Sequence, residues 1–144
     1  MTLNSTNLFS EAYNIVYTFL KNNISDPRNR YKANWIHASE PYVNAKSFSG
    51  YPYLVLSVNV SESTKSHDGV TSNKEFRYVI EVVSDEPTEV DSISDEIFSE
   101  SKQETNLTEL KSKTLGSSEL TWTLDANGKK AYRRAIGLIG VKRI

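Results

Sequence analysis

The chain has 144 residues, of which 38% are hydrophobic, with a net charge of −1 and no cysteine. This length suits one domain over residues 1–144, and this hydrophobic content is enough for a buried core. The lack of cysteine excludes disulfide scaffolds, thiolate nucleophiles and cysteine-ligated zinc. The N-terminal residues lack a signal-peptide pattern, and no stretch approaches the roughly 20 apolar residues of a membrane span. We therefore expect a soluble protein without membrane contact.

Two segments have the spacing of amphipathic helices. Apolar side chains recur at helical spacing over residues 8–22, directly after several residues that favour a helix N-cap. Pro87 and Thr88 begin a second pattern, whose apolar stripe continues until about residue 102. Both segments are therefore predicted to be helices with one face in the core.

Two alternating segments around residues 53–60 and 76–83 predict strands. In each strand one face is fully apolar and the other is mixed, which is typical of an antiparallel sheet covered by helices on one face. Between them, residues 61–75 are polar except for Val70, and they predict a long loop at the tip of an extended hairpin. Asp68-Gly69 within the loop suits a tight turn.

A second hairpin is predicted near the C-terminus. Residues 119–124 and 129–144 are joined by a segment that ends in Asn127-Gly128, the strongest short-range hairpin signal. On the return strand, Gly137 and Gly140 indicate a bulge or a close backbone approach.

Two segments have weaker signals. Residues 28–50 predict an irregular connection with one short strand, and residues 106–115 predict a linker or a short helix. The expected fold class is therefore α+β, in the order α-β-β-α-β-β. It consists of a four-stranded, mostly antiparallel sheet with helices packed on one face and a long β-hairpin arm.

Catalytic and cofactor motifs are weak in this sequence. Ser66-His67-Asp68 contains the residue types of a catalytic triad, but three consecutive residues cannot orient one another as a triad does. His67 has no partners at a recognised metal-site spacing, and no glycine-rich phosphate loop follows a strand. We expect no enzyme activity, no cofactor and no metal.

Charge is distributed unevenly along the chain. Residues 85–109 contain nine acidic residues and one lysine, whereas residues 129–144 contain six basic residues and no acidic one. Such runs are often solvated faces, but they can also bring the acidic surface of one copy against the basic surface of another.

The order of these segments resembles that of the tail terminator, or tail-to-head joining, proteins of long-tailed phages and related archaeal viruses. The likeness extends from about Leu8 to Val141 and rests on the strands YPYLVLSV and FRYVIEVVSD, the helix start PTEVDSISDEIF and the return strand AYRRAIGLIGV. Residues 28–50 are longer than the family pattern, and residues 106–118 match it poorly.

The resemblance implies a structural role in the virion, with assembly in the host cytoplasm. Proteins of this family form a hexameric ring that ends polymerisation of the tail tube and provides the docking surface for the head connector. The implied partners are further copies of the chain, the tail tube protein and the connector. Genome DNA passes through the ring without sequence-specific binding.

A ring needs contacts between two different surfaces of one protomer. The candidate residues for contacts with a neighbouring subunit or the tube are polar residues of the hairpin arm, the acidic helix and the basic hairpin: Lys65, His67, Asp68, Lys74, Glu89, Asp95, Glu96, Lys129, Lys130, Arg133 and Arg134.

Two alternatives remain open. The chain could be another neck or connector protein, or a small cytosolic domain that binds nucleic acid or a protein partner. The segment RNRYKANW at residues 28–35 mixes bases and aromatics as single-strand binders do, although the nearly neutral net charge is unusual for such proteins.

Overall fold

A computed structural model describes residues 8–30, 34–65 and 72–143. The elements in chain order are α1 (Leu8–Asn23), β1 (Ile36–His37), β2 (Tyr53–Lys65), β3 (Ser72–Ser84), α2 (Pro87–Ser101), β4 (Ser112–Ser117), β5 (Thr121–Leu124) and β6 (Lys130–Arg143). The six strands form one sheet in the order β1-β2-β3-β6-β4, with β5 also paired to β6. Only the β1–β2 pair is parallel. The α+β class is confirmed.

The predicted sheet of four strands was wrong in its number and order. The sheet has six strands, because residues 112–117 form β4 where a linker or short helix was expected, and residues 36–37 form the short β1. The segment SKTLGS has only one large apolar residue, so its place in the sheet depends on pairing with β6 and not on its own pattern.

The predicted loop over residues 61–75 is largely strand. β2 and β3 stay paired beyond the core through Ser61↔Glu75 and Glu62↔Lys74 to Lys65↔Ser72, with a register shift between Glu62 and Thr64. The Asp68-Gly69 turn lies outside the described residues. The polar composition that indicated a loop therefore belongs in part to two paired strands.

Both helices pack on the same face of the sheet. Their buried residues, including Val16 and Leu20 of α1 and Ile93 and Ile97 of α2, belong to one cluster with the sheet side chains Leu54, Leu56, Phe76, Tyr78, Ile80, Val82, Ile136 and Leu138. The strand faces predicted from alternation are therefore the faces that the structure buries. Within the described residues, neither helix is long and apolar enough to cross a membrane.

The outer edge formed by β4 and β5 is interrupted by a bulge. Three residues, 118–120, connect the pairs Ser117↔Ile136 and Thr121↔Arg133, whereas only residues 134 and 135 lie opposite them. Ser118 bridges the gap, since its N–H donates to Ala135 O at 2.8 Å and its Oγ accepts the N–H of Ala135 at 3.0 Å. The two strands therefore follow β6 in registers that differ by one residue.

At Gly140, where a bulge or a close backbone approach was expected, a side chain approaches closely. A Cβ added at Gly140 would lie 2.5 Å from Leu110 Cδ1 and 3.2 Å from Leu110 Cγ, and Leu110 is itself buried in the core. A Cβ added at Gly137, by contrast, would have no described atom within 4 Å, so this glycine is not required for packing.

We predict that Gly140→Ala lowers the free energy of unfolding by about 1–3 kcal/mol, because the added methyl group overpacks the site against Leu110. Gly137→Ala is the matched control on the same strand and should change stability by less than about 0.5 kcal/mol. Chemical denaturation of both variants measures the difference. Equal stabilities would show that Leu110 moves aside without cost.

Candidate subunit interface

Two of the predicted interface residues of the hairpin arm, Lys65 and Lys74, lie on its paired strands. Lys65 is the last residue of β2 and is aligned with Ser72, and Lys74 is aligned with Glu62 across the hairpin. His67 and Asp68 lie outside the described residues. Among the hairpin side chains that the structure describes, Val60 and Phe76 are the last that belong to or pack against the core cluster.

The acidic residues of α2 differ in their surroundings. Glu89 accepts hydrogen bonds from Arg28 Nε at 3.0 Å and from Ser84 Oγ at 2.7 Å. Glu96 accepts the backbone N–H of Ser25 at 3.0 Å, and Asp95 is exposed. Of the three predicted acidic contacts, Asp95 therefore has the greatest access to another molecule.

Most of the basic candidates on the last hairpin contact acidic groups of the same chain. Lys129 Nζ lies 2.6 Å from Asp85, and Arg134 lies 2.9 Å from Asp91 of α2. Arg133 pairs with Glu40 at 2.8 Å and lies 3.5 Å from Glu81. The opposite charges of the two segments are thus partly compensated within one protomer, which sequence position alone did not reveal.

Lys130 is the exception among these bases. Its Nζ lies 4.5 Å from the ring centroid of Trp122, an aromatic side chain that is half exposed on the neighbouring strand. A cation over an indole face is weakly attracted to it and remains accessible to solvent. Lys130 and Trp122 together therefore form an amphipathic patch at the edge of the sheet.

A network around Arg28 connects the segment after α1 to the start of α2. The guanidinium contacts both Asp85 and Glu89, and Lys129 contacts the other oxygen of Asp85. The hydrogen bond from Arg28 lowers the pKa of Glu89. Burial opposes ionisation of Asp85, but the bonds from Lys129 and Arg28 outweigh it and also lower that pKa.

The other bases of residues 28–35 have structural contacts as well. Arg30 pairs with Asp26 at 2.9 Å and donates to the carbonyls of Ser49, Gly50 and Pro52. Trp35 is buried in the core, and residues 31–33 lie outside the described residues. The side chains that suggested nucleic-acid binding at Arg28, Arg30 and Trp35 therefore hold the fold together.

A polar and aromatic cluster covers one end of the sheet face opposite the helices. Tyr53 donates its hydroxyl to Glu40, which also accepts from Arg133, and Tyr51 donates to Asp125 at 2.7 Å. Burial opposes ionisation of Glu40, but the bonds from Arg133 and Tyr53 lower its pKa. Burial, reinforced by the bond to Glu40, raises the pKa of Tyr53.

Sequence reasoning missed this cluster, because Glu40 belongs to the irregular segment and meets Arg133 across 93 positions of sequence. The aromatic run YPY at residues 51–53 was the only local signal. The cluster borders a cavity of about 220 Å³ whose walls include Tyr51, Tyr53 and Arg133. Among the described residues, no group of three His, Asp or Glu side chains could hold a metal ion.

Neither α1 nor α2 packs against the rest of this second sheet face. Val79 and Ile139 are exposed there, and Gly137 is aligned with Val79 and with Gly116 on the two neighbouring strands. Polar side chains separate these two residues, since Val79 alternates with Arg77 and Glu81 on β3 and Ile139 is aligned with Arg77 and Thr114. Single exposed apolar side chains of this kind are normal on a protein surface.

No protein-family model matches this chain, and no curated protein matches its sequence.

We predict that Arg28→Ala lowers the free energy of unfolding by about 1–3 kcal/mol at pH 7, because it leaves two neighbouring carboxylates without their shared cation. The pKa values of Asp85 and Glu89 are lower in the folded protein than their ordinary values. Ionisation of these two carboxyl groups therefore stabilises the fold above about pH 4.5, and this stabilisation is lost as the pH falls through the lowered pKa values. The difference between Arg28→Ala and wild type should therefore shrink near pH 3.

Denaturation at pH 7 and pH 3 measures this effect. Arg77→Ala is the matched control, since Arg77 pairs with Glu75 but is 63% exposed, and exposed pairs contribute little. A deficit in Arg28→Ala that is the same at both pH values would show that packing, and not charge, is what Arg28 contributes.

Proposed function

We propose that this chain is a virion structural protein, a tail terminator whose copies form a ring at the head-proximal end of a tail tube. In this role it ends tube polymerisation and joins the tail to the head connector. Its function is assembly, without catalysis or a cofactor. The ring is a hexamer, assembled in the host cytoplasm, and genome DNA passes through its channel without sequence-specific contacts.

The observation that carries the proposal is the hairpin arm, which we define as residues 61–65 and 72–75. These residues remain paired after Val60 and Phe76, the last described hairpin side chains in or against the core cluster, and β6 continues beside β3 to Asn73↔Arg143. A polar hairpin extension of this kind adds little apolar burial to the monomer. Such an extension suits contact with a neighbouring subunit or with the tube.

The uneven surface charge also supports a ring. Heterologous contacts require two different surfaces on each copy. Asp95 on α2 and Lys130 on β6 lie on separate elements, and both are exposed. Since several other charges of these elements are paired internally, a ring would rely on such remaining groups and on apolar contacts.

The alternative function, binding of nucleic acid or a partner by a small cytosolic domain, was based on residues 28–35 and on the predicted arm over residues 61–75. In the described part of residues 28–35, Arg28 and Arg30 form ion pairs with Asp85, Glu89 and Asp26. We therefore favour the terminator. Electron microscopy of tail tubes mixed with the purified protein tests the choice, because a terminator binds tube ends whereas a nucleic-acid binder does not.

We predict that replacing residues 63–73 by Asn-Gly abolishes the capping of tail tubes and leaves the fold intact. Glu62 and Lys74 are aligned across the hairpin, so a two-residue turn can connect them directly. The change removes no side chain of the described core and only one residue paired with β6, Asn73, so the melting temperature should change by only a few degrees.

Tube lengths in electron micrographs and thermal unfolding of the variant measure the two effects. Ser61→Ala, a single change at the base of the arm, is the control and should cap tubes like the wild type. A shortened protein that still caps tubes would remove the arm from the interface.

A further inference from the structure

The two outer edges of the sheet lie without a neighbouring strand among the described residues. β1 is aligned only with Leu54 and Val55. From Leu56 onwards, no described strand is aligned with the outer edge of β2. On the other side, β4 and β5 pair with β6 alone. Unpaired edges with regular backbone geometry are templates for another strand.

The four long strands make these two edges complementary. β2, β3, β6 and β4 alternate in direction, so β4 runs antiparallel to β2. If a second copy lies beside the first with its helices on the same side, its β4 meets β2 in the antiparallel sense. The sheet then continues from one copy into the next without a change in its pattern.

The backbone groups of the two edges also match in phase. Leu54 donates its N–H outward to Trp35 O at 2.7 Å, and since successive residues point to alternate edges, Val58 also points outward. Ser118 donates inward to Ala135 at 2.8 Å, so Ser117 and Leu115 point outward on β4. The outward backbone groups of β2 in one copy can therefore form hydrogen bonds with the outward backbone groups of β4 in another copy.

The registers fix which residues are level with one another. Val58 is aligned with Tyr78, Tyr78 with Leu138, and Leu138 with Leu115. Continuing this row into a second copy places Leu115 directly opposite Val58, with both side chains on the helix side. The six residues of β4 then cover the β2 edge over residues 56–61.

The side of β2 at which Leu115 would arrive is an apolar groove. This open groove of about 500 Å³ is lined by Phe9, Tyr13, Ala38 and Val58 together with Ser10 and Asn14. Phe9 is 57% exposed and offers apolar surface within this groove. A neighbouring β4 would cover it.

The outer edge of β2 carries one local obstacle. Asn59 Oδ1 accepts the N–H of Val60 at 3.1 Å, so the side chain satisfies an edge amide that an incoming strand would otherwise use. Rotation of this side chain releases the amide. Pairing therefore exchanges one hydrogen bond and does not break the sheet.

We propose that a second copy of this chain pairs its β4 with the outer edge of β2 and places Leu115 against the groove that contains Phe9. The contact is head-to-tail, so each copy uses one edge to receive and the other to donate. This inference rests on the proposed ring and names the surfaces that close it.

Two variants each block one edge. Phe9→Glu places a charge in the groove near the start of α1, where an acidic residue suits the helix. Ser117→Pro removes an outward N–H from β4 at an exposed position, where proline is tolerated on an edge strand. Phe9→Leu and Ser117→Ala are the controls, since they keep an apolar side chain and the N–H.

Sedimentation of the purified proteins over a range of concentrations measures self-association, with thermal unfolding as the check on folding. Wild type and both controls should associate. Each blocked variant should have a dissociation constant at least about 30-fold higher. An equal mixture of the two blocked variants should form a heterodimer, because one intact β2 edge meets one intact β4 edge.

Three outcomes would overturn the proposal: a monomeric wild type at about millimolar concentration, a blocked variant that associates like wild type, and a mixture that stays monomeric. Dimers of Ser117→Pro alone would indicate symmetric pairing of two β2 edges instead.

Tube-capping assays on the same proteins separate this inference from the proposed function. Capping by Phe9→Glu at wild-type levels means that a terminator ring closes through other surfaces. Association through these edges without any binding to tube ends means that the edge contact exists but the chain is not a terminator.

Discussion

The pairing of β3 with β6 is the constraint on which the rest of the structure depends. Twelve aligned residue pairs join segments that lie more than 45 positions apart in the chain, from Ser84↔Tyr132 to Asn73↔Arg143. This ladder places Phe76, Tyr78 and Leu138 on one face, where both helices cover them. β2 and β4 then add to its two sides, so the position of every other strand follows from it.

The two helices and the last hairpin were predicted from local sequence patterns. Helical spacing placed α1 and α2 within one or two residues, and Asn127-Gly128 identified the last hairpin. β4 was missed because a strand with a single leucine, Leu115, forms only where β6 already offers an edge. The paired strands over residues 61–65 and 72–75 were missed because a polar sequence has no apolar alternation to detect.

The candidate interface was harder to predict, since its charges act across long distances in sequence. The acidic and basic runs were visible, but their internal pairing, as in Arg134 with Asp91, depends on the packing of α2 beside β6. Arg28 likewise meets Glu89 after a separation of 61 residues. The surfaces that these ion pairs leave for contact with other molecules are the hairpin arm and the two sheet edges.

The bulge at residues 118–120 has a consequence for aggregation. A strand that is in register with β4 is one residue out of register with β5, and a slip of one residue reverses which face each side chain occupies. The edge therefore cannot template one long continuous strand. A protein that exposes sheet edges needs such an interruption, because it restricts edge pairing to a short segment and hinders the open-ended stacking that leads to fibres.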